Sequence, residues 1–284
     1  NLYNKYGKKR PLAEWRRENI NKMVYRIYDW VKSVKPWIQV SSSPLGKYNR
    51  IERVPNAGWT AYESVFQDPK MWMQNGKQDM IVPMMYYLHD NFFPFVDNWV
   101  DNCNGRLVVP GLGAYRMLKE EADWTVNDIT DQIDSRYYGG AGCTFFRCAN
   151  ILDNTKGIYD ELKDKYYKYP AQLPPLSWLD DTVPAAPEEI RVEKEGDELK
   201  LSWQKPDSEK DVLTYTVYYS LTDSINPTSA RNILMTGIRD TSIYLPVDTT
   251  SERGYIFSVS SSTRYHIESV LSKETYYYLS KYPK

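Results

Sequence analysis

Cysteine and histidine are nearly absent from this chain. Three cysteines (Cys103, Cys143, Cys148) and two histidines (His89, His266) occur in 284 residues. Three thiols cannot build a disulfide framework or a four-ligand zinc site, and two imidazoles exclude a His-rich metal centre. No metal and no cofactor is expected. Cys143 and Cys148 stand five residues apart in a strand-like segment, which points them to opposite faces and reads as buried inert thiols. An excess of positive charge is missing as well: 36 Lys+Arg stand against 37 Asp+Glu, a formal net charge of -1. Nucleic-acid binding needs a basic footprint, so no nucleic-acid partner is expected. The longest apolar stretch, around Met80 to Leu88, falls far short of the roughly 20 residues of a spanning helix. No membrane span is expected. No Gly-rich phosphate turn follows any strand, since Gly111-Leu112-Gly113 holds two glycines and Arg116 stands where a third would fall. The chain opens Asn1-Leu2-Tyr3 without Met, charged n-region or apolar h-region. It reads as a processed or truncated product whose targeting signal lay upstream.

Aromatic side chains are plentiful, at 14% of residues with 25 Tyr and 9 Trp. Tyr and Trp combine an apolar face with a polar handle, which suits wet binding surfaces and β-rich cores alike. Prolines cluster at Pro170, Pro174, Pro175, Pro184 and Pro187, and they read as an extended linker. Before that cluster, helix-period and strand-period segments alternate. Leu12, Trp15, Met23, Ile27, Val31 and Val34 recur at helical spacing behind Pro11, and Pro36 ends the run. Strands are expected at Trp37–Ser43, Met80–Tyr86, Arg106–Gly111 and Gly142–Arg147. Helices are expected near 64–75, 92–102 and 155–167, with one more opened by the capping-box sequence Thr125-Val126-Asn127-Asp128. About four βα units and a parallel sheet follow from this order. The pattern looks like part of a (β/α)₈ barrel, where chemistry sits at the C-terminal ends of strands.

After the prolines the period changes to two, in Glu198–Trp203, Thr214–Tyr219, Ser242–Leu245 and Tyr255–Val259. Such alternation predicts an all-β sandwich with Trp203 in its core. Its Trp, the position of Tyr255 and the loop Ser262–Ser269 resemble a fibronectin type III domain.

The first part carries a second resemblance. Its matching segments are Glu14-Trp15-Arg16-Arg17-Glu18-Asn19-Ile20, Ser33-Val34-Lys35-Pro36-Trp37 leading to Ser43-Pro44-Leu45-Gly46, and Asp79-Met80-Ile81-Val82-Pro83-Met84-Met85-Tyr86-Tyr87. Tyr169-Pro170 through Pro174-Pro175 and Trp178-Leu179-Asp180 complete the set. In this order, residues 10–178 resemble the C-terminal half of the glycosyl hydrolase-like 10 family. The resemblance implies an α/β fold in which residues 1–169 form the C-terminal half of a TIM-type (β/α)₈ barrel. A linker over 170–186 and a fibronectin type III-like sandwich over 187–284 then follow. It also implies secreted, periplasmic or cell-surface placement and action on a polysaccharide or peptidoglycan-like glycan. The family's main acidic motif would lie upstream of Asn1. A non-catalytic glycan-binding or surface-scaffold protein is the alternative.

Asp90 is the best-placed carboxyl for acid/base work, with the imidazole of His89 beside it as a second proton carrier; Asp90-Asn91 can equally cap the next helix. Asp79 opens its strand and reads as structural. Tyr86, Tyr87, Tyr115, Arg116, Arg147 and Asn150 follow strands and are candidate substrate contacts. A planar Arg there can hold a carboxylate or hydroxyl, or pair with a neighbouring loop's Asp. Trp59 and Tyr62 lie on a long loop, either as an aromatic platform for a sugar ring or as packing at the rim. Glycosidic cleavage normally needs two carboxyls, so this chain alone is expected to be inactive. Four strands cannot close a barrel. Pairing with a second copy, or with the missing N-terminal half, is therefore expected.

Overall fold

The computed structural model describes residues 2–135, 141–207, 212–221, 224–246 and 254–278. The chain forms two compact units, Asn1–Lys163 and Asp164–Lys284.

The first unit is mixed α/β. Its long helix, Leu12–Val34, starts one residue after Pro11 and ends just before Pro36. The helical period is as the sequence predicts, but the inward face is not the expected one. Val24 and Tyr28 are buried, whereas Met23, Ile27 and Val34 are 58%, 49% and 58% exposed. Polar anchors decide the face. Tyr28 donates to Asp79 Oδ1 at 3.1 Å, Lys32 pairs with Asp79 Oδ2 at 2.8 Å, and Trp72 Nε1 donates to Asn21 at 2.6 Å.

Strands β1 (Ser41–Ser42), β2 (Met80–Ile81) and β3 (Leu107–Val108) pair in parallel, in chain order. Three residues further on, Leu45, Met84 and Gly111 are bridged in parallel, and β4 (Gly111–Leu112) pairs in parallel with β5 (Thr144–Phe145). The strands are shorter than expected for a local reason. In this register Pro44, Pro83 and Pro110 fall in one row across the ladder. Proline has no N–H to give, so the ladder is interrupted there. Each proline carbonyl still accepts, from Met84 N at 3.0 Å, Gly111 N at 2.9 Å and Thr144 N at 3.0 Å. The helix Phe93–Asp101 buries Phe95, Val96 and Trp99 against this sheet's exit side, and Trp99 Nε1 donates to the Gly46 carbonyl at 2.6 Å. A Cβ on Gly46 would run into the Met84 carbonyl, so only glycine lets the two segments approach. The helix Val126–Asp134 opens on the capping box read from the sequence, Thr125 Oγ1 accepting from Asp128 N and Asp128 Oδ2 from Thr125 N. The segment expected as one helix near 64–75 is two short ones, Ala61–Ser64 and Pro69–Gln74, because Thr60 and Asp68 each cap a separate start.

The second unit is all-β. Strands β6 (Glu188–Glu195), β7 (Glu198–Gln204), β8 (Val212–Ser220), β9 (Ile233–Ile238), β10 (Ser242–Pro246), β11 (Tyr255–Thr263) and β12 (Thr275–Tyr277) form two antiparallel sheets, ordered β10-β7-β6 and β12-β11-β8-β9. Leu201, Trp203, Tyr215, Val217, Phe257 and Val259 pack between them. Trp203 is buried, its ring 5.3 Å from that of Tyr215. The proline-rich segment lies on β8 and β11. Leu176 is buried and its N–H donates to Tyr265 O at 2.9 Å, while Gln172 Nε2 donates to Thr216 Oγ1 at 2.8 Å and Glu268 Oε1 at 2.9 Å. His266, expected as a solvated loop residue, is half-buried with Nδ1 3.1 Å from the Pro174 carbonyl.

Candidate functional site

Chemistry-bearing side chains of the first unit gather where its parallel strands end. Tyr86 follows β2, Tyr115 follows β4 and Phe146 follows β5, and their rings meet. Tyr86 stacks on Phe146 at 5.7 Å and 27°, and Tyr115 stands edge-on to both, at 5.5 Å and 5.6 Å. The Tyr115 N–H donates to the Phe146 carbonyl at 3.0 Å, which fixes the neighbouring exits together. Gly113 makes room: a Cβ there would stand 3.2 Å from both Tyr86 Cβ and Arg116 Cγ.

Beside this cluster opens a cleft of about 530 Å³, lined by Tyr86, Tyr87, His89, Asp90, Arg116 and Trp124 among others. Arg116 and Trp124 are held as a pair, Trp124 N donating to Arg116 O at 3.0 Å. Lys156 fixes the segment from below through Asp123 Oδ1 at 2.6 Å and Trp124 O at 2.8 Å. Gln132 on the capped helix donates to the Tyr87 carbonyl at 2.8 Å. Burial, reinforced by Tyr115, raises the Tyr86 phenol; burial also raises that of Tyr87, with Arg116 acting against it. Both hydroxyls therefore stay protonated donors well above neutral pH.

Lys47, unnoticed in the sequence, is buried under this wall. Its Nζ donates to Ala57 O at 2.9 Å and Asn91 Oδ1 at 2.6 Å and sits 4.6 Å from the Tyr87 ring centroid. Burial lowers its pKa. Its only sequence signal is its place directly after Gly46. Trp124 was also missed, though it directly precedes the legible capping box.

The candidate residues divide accordingly. Tyr86, Tyr87, His89, Asp90 and Arg116 share the cleft, and Tyr115 backs it. Asp90 is exposed and ion-paired with Arg53 at 3.5 Å, and the helix behind it has no side-chain cap. His89 opens a one-turn helix with φ of 49°. Trp59 is 72% exposed on its loop. Tyr62 is a packing residue, with its ring edge-on to Tyr48 at 5.7 Å and Arg17 Cζ 4.0 Å from its centroid. Arg147 is exposed at the start of the helix Cys148–Leu152, and Asn150 is buried in it; Cys148, expected as a buried strand thiol, is exposed because the strand ends at Phe145. Asp97 adds a carboxyl that the sequence did not single out; burial and the neighbouring Asp101 hold it above the usual range.

A parallel α/β unit with an aromatic-walled cleft at its strand exits fits a glycoside-hydrolase-like protein, and comparison with known proteins agrees. Residues 1–100 match the family model Glycosyl hydrolase-like 10. Glycosyl hydrolase YngK of Bacillus subtilis (strain 168) is 28% identical over 297 residues, covering 96% of this chain and 57% of its own length. Glycosyl hydrolase DigH of Escherichia coli (strain K12) is 27% identical over 151 residues, covering 46% of this chain and 34% of its own. The chain thus spans a little over half of one relative and a third of the other. Among solved structures, titin domains A168–A170 align with 34% of this chain and 32% of their own at 18% identity, with a TM-score of 0.28. Among the described residues, no helix is long and apolar enough to cross a membrane.

Proposed function

We propose that the chain supplies one side of the glycan-binding cleft of a glycoside hydrolase. Its first unit is then half of a (β/α)₈ barrel and its second a fibronectin type III-like sandwich. The observation carrying this reading is the convergence of Tyr86, Tyr115 and Phe146 at consecutive parallel strand ends, beside a cleft holding Tyr87, Arg116 and Trp124. Flat apolar faces with hydroxyl and guanidinium donors match a sugar's C–H face and its ring of hydroxyls. Secreted, periplasmic or surface placement goes with a polymeric glycan as substrate.

Cleavage of a glycosidic bond normally takes two carboxyls flanking it. Asp90 is the one carboxylate lining the cleft among the described residues, and it is exposed and paired with Arg53. That favours binding without turnover by this chain, with the missing carboxylate supplied by the rest of the barrel. A purely glycan-binding protein is the second reading, supported by the same lone carboxylate. The test is calorimetric titration with oligosaccharides beside an aryl-glycoside assay. Binding without hydrolysis is expected. Turnover by the purified chain that disappears in Asp90→Asn overturns the division of labour.

A further inference from the structure

Arg116 stands out among the cations of the first unit. Its Nε is buried and has no hydrogen-bond partner among the described residues, and no carboxylate there pairs with its guanidinium. The neighbouring cations are matched: Arg53 pairs with Asp90, Lys156 with Asp123, and Lys47 is bonded to Ala57 and Asn91. Arg116 is also held in place. Its backbone N–H donates to Gly113 O at 2.9 Å, its carbonyl accepts from Trp124, and its Cζ lies 5.4 Å from the Tyr115 ring centroid. The side chain reaches the cleft shared by Tyr86, Tyr87 and Trp124. A guanidinium presents donors in a rigid fork that matches a carboxylate. With no carboxylate partner among the described residues, a guanidinium that lines the cleft rewards a ligand that brings one. Resting on the glycan-cleft reading, we propose that Arg116 is a specificity residue for a carboxylate-bearing sugar unit, whose acid group it receives while the ring lies against the cleft's aromatic wall. Neutral hexose polymers leave that guanidinium unanswered.

The experiment compares the full chain's affinity for a hexuronate tetrasaccharide with that for the same tetrasaccharide after carboxyl reduction, by isothermal titration. The acidic form is expected to bind roughly tenfold tighter or more, as a charge-assisted pair supplies. That preference should shrink when salt is raised, because salt screens the pair. Arg116→Gln should abolish the preference and Arg116→Lys should keep part of it, with both variants checked by thermal melting. Equal binding of the two sugars by the parent chain, or a preference that survives in Arg116→Gln, overturns the acidic specificity and leaves the glycan cleft standing. Failure to bind either sugar overturns the cleft reading and this inference together.

Discussion

Asp79 fastens the long helix of the first unit to its sheet. The carboxylate is fully buried and accepts from Tyr28 Oη, Val40 N at 2.8 Å and Lys32 Nζ. Lys32 is itself tied to Ile38 O at 2.6 Å, so one acidic side chain holds the helix end, the turn after it and the start of β2. Removing one partner of a buried ion pair leaves the other uncompensated, and Asp79→Ala is expected to cost about 3–5 kcal/mol in urea unfolding. Tyr28→Phe removes a single hydrogen bond and should cost about 1 kcal/mol. An Asp79→Ala midpoint equal to the parent's would show the anchor to be idle. The structural reading of Asp79 was open to sequence, since the residue begins a strand. Its partners were not, because Tyr28 and Lys32 lie outside the apolar repeat that the eye follows. Arg116 and Tyr86 were legible for the opposite reason: Tyr86 closes an apolar run and Arg116 lies five residues past the expected end of another, close to where a parallel strand must end.

Within the sandwich, alternation made the strands readable, and Trp203 is inside as period two predicts. What alternation could not give is the second layer on β11. Its Ser258, Ser260 and Ser262 point away from Phe257 and Val259, yet they are buried too. Ser272 covers Ser258, whose Oγ donates to the Ser272 carbonyl at 2.9 Å, and Glu268 with the proline-rich segment covers the rest. Glu268 Oε1 accepts from Tyr218 Oη at 2.8 Å, from Gln172 at 2.9 Å and from Ser260 Oγ. Prolines announced an extended segment, but nothing local to Gln172 says that it is pinned. Burial, with the Glu268 hydrogen bond adding to it and Gln172 opposing, pushes the Tyr218 phenol from 10.0 up to about 12. The folded state then holds this proton more tightly than the unfolded chain does. Its contribution is complete below pH 10 and is lost as pH rises through 12. Unfolding followed by tryptophan fluorescence should show stability falling across that window, with a shallower fall in Tyr218→Phe. Identical slopes for the two proteins would remove Tyr218 from the account.

At the scale of the whole first unit, parallel order was legible and the covered faces were not. Along the long helix Met23, Ile27, Trp30 and Val34 make one apolar stripe, with exposures of 58%, 49%, 69% and 58%. The strand after that helix, β1, is an outer strand of its sheet, and beyond β5 at the opposite end Phe146 and Leu152 are 51% and 71% exposed. An apolar stripe at helical spacing beside an open strand edge fits a further βα unit, whose strand would pair with β1 and whose helix would cover the stripe. YngK, of which the chain spans 57%, has length to spare for such units. We therefore expect the uncovered flank to make the chain associate with itself when it is alone. Light scattering should give a mass above the monomer at micromolar concentration, and Ile27→Asp with Trp30→Asp should bring it down. Co-expressed with the remainder of a YngK-length domain, the chain should instead form a one-to-one complex, with slowed amide exchange across residues 23–34 and 41–42. A strict monomer that gains no such protection from the remainder would mean that the flank belongs in water, and the half-barrel reading would have to be given up.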